Sequence, residues 1–298
     1  MTIEAAVAAP APGRALPVAA MLLALLAVWY GAAVFLNAPM QIDRFEREQA
    51  AWTASDLVAA TLRMERPLLP APHQIAAEMK RTLFDLSVTS KRSLAYHSWV
   101  TLSSTLLGFV LGSFVGLVLA AGIVHARTLE KSLMPWVISS QTIPILAIAP
   151  MIVVVLGAIG LKGLVPKAII STYLCFFPVA IGMVKGLRSP DTLQMDLMRT
   201  YNATRWQTFR LLRWPAAVPF LFASLKVAIA ISLVGAIVGE LPTGAQAGLG
   251  ARLLVGSYYG QTVQIWAALI AAATLAAALV GLVGLTERIV GRARGERT

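Results

Sequence analysis

An all-α polytopic membrane protein, with about six transmembrane helices and one long basic loop among them, is the fold class this sequence predicts. Three observations carry it. Of 298 residues, 58% are hydrophobic and 13% charged, against about 45–50% and about 25% in soluble domains. The apolar residues gather in runs close to the ~20 that cross a hydrocarbon layer about 30 Å thick. The basic excess, 25 Lys and Arg over 14 Asp and Glu, concentrates in alternate loops, as membrane proteins concentrate it on the cytoplasmic side. The same figures argue against a soluble enzyme, a disordered chain and a nucleic-acid partner. The single cysteine, Cys175, lies in an apolar run and forms no internal disulfide.

In chain order, residues 1–16 read as a disordered cytoplasmic N-terminus, Ala- and Pro-rich over Thr2–Gly13. Residues 17–36 form the first span. Arg14 precedes it and no small-x-small cleavage pattern follows, so it reads as an uncleaved helix rather than a signal peptide. Residues 37–97 form a polar extracytoplasmic segment, broken by Pro67, Pro70 and Pro72 into at least two short helices. Residues 98–290 hold five more spans, at roughly Trp99–Val124, Leu133–Gly157, Val165–Gly186, Phe220–Gly239 and Val263–Leu285, with a loop at 187–219. Residues 291–298 are a cytoplasmic tail.

With the N-terminus inside, the inner segments hold Arg14, Arg127, Lys131, the basic residues from Lys185 to Arg213, and Arg288 to Arg297. The short outer loops hold only Lys162, Lys167 and Arg252. Both termini are therefore expected in the cytoplasm. The 37–97 segment, with eight basic residues against seven acids, is an exception at a length of about 60 residues, where the rule weakens.

The loop after the fourth span is the most informative stretch. Ser189 and Pro190 suggest a helix start, cap then first-turn proline. A helix from Pro190 to about Tyr201 places Leu193, Leu197, Met198 and Tyr201 on one face. Asn202, which tolerates left-handed backbone, interrupts it. Thr204-x-x-Gln207 is a capping box opening a second helix. That helix carries Trp206, Phe209 and Leu212 on one side, with Arg205, Arg210 and Arg213 interspersed, and Pro215 is expected to end it. The result is a basic, amphipathic elbow. It reads either as a hairpin lying on the lipid surface or as a docking knob for a cytoplasmic protein.

Here the sequence resembles the membrane subunit of bacterial ABC importers, in the nitrate, taurine and sulfonate branch. In that family a coupling-helix loop opens with Glu-Ala-Ala, turns at a Gly and closes with Leu-Pro. The matching positions are Asp196, Leu197 and Met198, then Arg199 and Thr200, Asn202 for the Gly, Ala203 and Thr204, and Trp214-Pro215. Asp196 keeps the charge and Asn202 keeps the turn. LLPAPHQI, GFVLGSFVGLVLA, QTIPILAIAP, FFPVAIGMVKGLRSPD and VGAIVGELPTGAQAGLGARLL also match in order, from about Leu68 to Arg288. The resemblance implies a permease that pairs with a second permease copy. It implies an ABC ATPase that grips the elbow, through Asp196, Arg199, Thr200, Asn202, Ala203, Thr204, Arg205, Trp206 and Pro215. It also implies a periplasmic or lipid-anchored solute-binding protein above. ATP would be bound by the partner, leaving this chain without cofactor or catalysis.

Within the spans, Gly108, Gly112, Gly116 and Ala120 recur every four residues, a pattern for close helix packing or a sliding contact. Ser139, Ser140, Gln141 and Thr142 in the third span line a substrate pathway or bond a neighbouring helix. Tyr173 and Ser232 are weaker candidates of the same kind. Glu240, at an outer end, reads as a structural partner of Arg252 or as a substrate contact. Gly244–Gly260 reads as an outer loop or re-entrant turn, with Tyr258 and Tyr259 at headgroup level. No phosphate-binding Gly-x4-Gly-Lys-Ser/Thr sequence occurs, and His73, His97 and His125 lack ligand spacing, so neither ATP nor metal binding is expected. An ion-driven secondary transporter and a membrane-embedded enzyme remain the alternatives. The spans show no series of ionisable residues for the first. No nucleophile–base pair supports the second. The neutral polar pathway favours an uncharged or aromatic solute.

Overall fold

The computed structural model describes residues 15–242 and 247–295. The expected disorder of Thr2–Gly13, the end of the tail and Gly244 lie outside them. The helices are α1 (Ala15–Arg47), α2 (Ala54–Leu62), α3 (Pro72–Lys80), α4 (Leu94–His125), α5 (Arg127–Ser140), α6 (Ile145–Ala158), α7 (Leu164–Leu187), α8 (Thr192–Thr200), α9 (Arg205–Thr208), α10 (Trp214–Gly239), α11 (Leu249–Tyr258) and α12 (Thr262–Ala293). Wider π turns at Arg81–Asp85 and Phe209–Arg213 complete the order, and no strand occurs among the described residues. The all-α polytopic class is borne out.

Five stretches are long and apolar enough to cross a membrane: α1, α4, α7, Arg205–Gly239 and α12. The third expected span differs. It is two helices of 14 residues, α5 and α6, meeting at a 97° bend. Each reaches only about 21 Å at 1.5 Å per residue. Pro144 causes the break, since it lacks a donor and pushes Ile143 out of helical backbone. Gln141 and Thr142 close the end of α5 with tight bonds to the carbonyls of Ile138 and Ser139, at 3.1 and 3.0 Å. The pair still makes one crossing. α5 starts beside the elbow, where Glu130 pairs with Arg188 at 2.9 Å, and α6 ends at the opposite face, where Gly157 shares a cavity with Tyr96 and Lys167.

The centre is α4, α7 and α10, and small residues set how closely they approach. A Cβ placed on Gly108 would lie 2.2 Å from the Ser171 Cβ, one on Gly112 2.9 Å from the Cys175 Cβ, and one on Gly116 2.7 Å from the Phe176 carbonyl. The four-residue stripe thus packs α4 on α7 within one chain. Gly235 meets Ser171 from α10 in the same way, at 2.7 Å. With no hydrophobic gain between helices in lipid, such backbone approach and its dispersion contacts hold the bundle together.

α12 and α1 flank this centre. Asn37, almost fully buried, donates to the Leu69 carbonyl at 2.8 Å and accepts from the Leu68 amide at 2.7 Å. Trp29 donates to the Pro70 carbonyl at 3.1 Å and packs at a tilt against Trp266. The proline-rich turn between α2 and α3 is therefore the fixture that holds α1 against α12.

Candidate functional site

The elbow forms as two capped helices. Its first start differs from expectation by two residues. Asp191, not Ser189, caps α8, accepting from the Gln194 amide at 2.8 Å while the Gln194 side chain accepts from the Asp191 amide at 3.3 Å. Ser189 donates instead to the Gly186 carbonyl, at 2.8 Å, at the end of α7. A carboxylate is also favoured by the positive end of the helix dipole.

At the bend, Asn202 has φ of 51°. Its amide reaches the Arg199 carbonyl and the Ala203 amide reaches the Met198 carbonyl, both at 2.9 Å. This is the paired closure of a left-handed helix end. One residue later Thr204 caps α9, accepting from the Gln207 amide at 3.2 Å, with the reciprocal bond from the Thr204 amide at 2.7 Å. Asp196 pairs with Arg199 at 2.9 Å. The Thr200 hydroxyl returns to the Asp196 carbonyl at 3.0 Å. Trp206, Phe209 and Trp214 form a run of ring contacts, and His125 of α4 closes on Phe209 at 5.1 Å.

Pro215 does not end the second helix. The Trp214 amide reaches back five residues to the Phe209 carbonyl, and this widened turn carries the helix past the proline. The stretch from Arg205 to Gly239 is thus one continuous rod. No residue of α8 is buried, and Leu193, Leu197 and Tyr201 stand 78%, 56% and 78% exposed. The elbow is a stiff, externally presented bracket. Its second arm is the same helix that packs against α4 and α7.

At the opposite face the expected Glu240–Arg252 pair is absent. Glu240 is fully buried and accepts from Thr101 (2.9 Å to each oxygen), from the Gly250 amide at 2.9 Å and from Lys167 at 3.4 Å. Lys167 donates also to the Ala247 carbonyl at 2.7 Å. Thr101 accepts from the Leu249 amide at 2.8 Å, and His97 from the Gly248 amide at 3.0 Å. Gly248, at φ 123°, leaves room for the carboxylate, since a Cβ there would lie 2.0 Å from the Glu240 Cδ. The Arg252 Nε has no partner among the described residues. Part of the expected Gly244–Gly260 loop is the helix α11, with Tyr258 and Tyr259 exposed.

The other pathway candidates divide in two. Ser139, Gln141 and Thr142 are exposed at the α5–α6 bend, beside the half-buried Ser140, whose carbonyl accepts from the Tyr173 hydroxyl. Ser232 is fully buried and donates to the Thr105 carbonyl at 2.8 Å. Beyond the bend lies a cavity of about 750 Å3 whose wall includes Tyr96, Trp99, Ser103 and Lys162. Among the described residues no cluster of three or more metal-ligating side chains occurs.

The elbow and the small-residue bundle both fall within residues 108–293. Those residues match the model of the binding-protein-dependent transport system inner membrane component. The chain belongs to that family. It is an ABC importer permease of the sulfonate and nitrate branch, a multi-pass transport subunit. It is 33% identical to the riboflavin transport system permease protein RibX of Chloroflexus aurantiacus, over 76% of this chain and 80% of that one. It is 33% identical to the formylaminopyrimidine transport permease protein ThiX of Halalkalibacterium halodurans, over 61% and 68%. It is 25% identical to the putative aliphatic sulfonates transport permease protein SsuC of Bacillus subtilis, over 74% and 76%. The resemblance read from the sequence is borne out.

Proposed function

We propose that this permease subunit forms the pathway for a small organic solute and is moved by ATP hydrolysis on a separate ABC ATPase. A periplasmic or lipid-anchored binding protein delivers the solute, and a second permease copy completes the pathway. Both termini and the elbow face the cytoplasm, following the Lys and Arg bias. One observation carries the reading: α8 exposes an apolar row to solution while the bend at Asn202 joins it to a rod running from Arg205 to Gly239. An ATPase gripping that row would move the rod directly, since a stiff bracket transmits displacement where a mobile loop absorbs it.

The solute enters at the face of Tyr96 and Trp99 and passes the bend at Ser139–Thr142. Neutral hydroxyl and amide groups there, with aromatic rings above, suit a flat heterocycle. The names of two relatives, a riboflavin and a formylaminopyrimidine permease, support that class. Deleting Asn202–Arg205 tests the coupling. The deletion variant should lose co-purification with a co-expressed ABC ATPase and lose transport. Normal capture and normal transport would refute the proposal.

A further inference from the structure

The elbow has a second face. At about 100° per residue, Met195 and Arg199 lie about 180° from the centre of the row Leu193–Leu197–Tyr201. They wall a groove of about 370 Å3 between the elbow and the end of α4, with Arg205, Arg213 and His125 on its other sides. Among the described residues one of the three guanidiniums is neutralised: Arg199 by Asp196 at 2.9 Å. Among the described residues Arg205 and Arg213 have no carboxylate within ion-pair distance. Like charges gathered in a half-enclosed groove repel one another unless an anion joins them.

The position narrows the anion. Arg213 immediately precedes the apolar helix α10, and Phe209, flanked by Trp206 and Trp214, packs on His125 of the groove wall. Tryptophans beside arginines at the foot of an apolar helix mark headgroup depth, and basic pockets between helices at that depth take lipid phosphates. The planar guanidinium forks match phosphate oxygens two at a time. We propose that this groove is a binding site for the phosphate of an anionic lipid headgroup. It lies on the side of the elbow opposite the exposed row. The inference stands whether or not the ATPase reading holds, because it needs only a bilayer.

The test uses the full-length chain in nanodiscs of phosphatidylcholine with or without phosphatidylglycerol. Native mass spectrometry then counts the phosphatidylglycerol retained through detergent exchange. The wild type should retain it, and R205Q/R213Q should bind it about 30-fold more weakly, two basic contacts being removed. R288Q/R292Q, equal in charge and outside the groove, should behave as wild type. M195E, which sets an internal carboxylate among the arginines, should lose retention while keeping its fold, read as unchanged or raised thermal stability in neutral lipid. Equal retention in R205Q/R213Q or M195E, or equal loss in R288Q/R292Q, overturns the site. Displacement of the lipid by millimolar inorganic phosphate, with phosphate alone stabilising the chain in neutral discs, overturns the lipid assignment.

Discussion

Replacing Glu240 with Ala strands a buried ammonium. Glu240 and Lys167 have side-chain exposures of 0% and 8%, and the carboxylate receives Thr101, Gly250 and Lys167 at once. Breaking a buried pair from one side costs about 3–5 kcal/mol, because the remaining charge keeps its desolvation penalty without its partner. E240A and K167M should each fall in that range. The double variant K167M/E240A closes the cycle and leaves no buried charge. It should cost less than the two single changes summed, by a coupling of at least ~2 kcal/mol. Unfolding of the full chain in mixed micelles, followed by tryptophan fluorescence, measures all three. Single variants that lose under about 1 kcal/mol, or a double variant equal to their sum, would refute the buried bracket joining α4, α7, α10 and α11.

Three further outcomes are expected. G108A should fail to assemble or lose more than the ~1–3 kcal/mol typical of overpacking, since its Cβ meets Ser171 at 2.2 Å; G281A, with nothing within 4 Å, should gain about 0.5–1 kcal/mol, read by thermal unfolding in detergent. At Asn202, with φ of 51°, N202G should be near wild type and N202V should cost about 1–2 kcal/mol, seen as faster amide exchange at Ala203 and faster proteolysis between α8 and α9. Cys175 is buried and should resist maleimide in the folded protein, so that Y201C becomes the labelled site. It should react in inverted membrane vesicles and not in intact spheroplasts; the reverse pattern would overturn the cytoplasmic placement of the elbow.

The apolar spans and the elbow were legible because their causes are local. Run length against bilayer thickness gives the spans, and Asn202 and the Thr204–Gln207 box are short-range chemistry. Where the sequence offers two local solutions, tertiary context decides between them. Ser189 and Asp191 both flank Pro190, and the Asp191–Gln194 pair prevails because it closes a reciprocal box. Pro215 was expected to stop a helix, which holds for a regular turn and fails for the widened turn at Phe209–Arg213. The bend between α5 and α6 had its signal in Pro144, but nothing in the local sequence sets its 97° angle. Glu240 needed tertiary knowledge. Lys167 lies 73 residues away and Thr101 139, and the local clues were only the His97-to-Thr101 helical spacing and the Gly248-x-Gly250 pattern.

The coupling role of α8 is tested most directly by a photo-crosslinking residue at Leu197, the centre of the exposed row, in the full-length chain expressed with its neighbouring genes. Illumination of intact membranes should yield one predominant adduct to a nucleotide-binding chain, its amount changing with ATP and vanadate. Adducts to lipid alone, unchanged by nucleotide, would contradict the transmission of ATPase motion through the elbow.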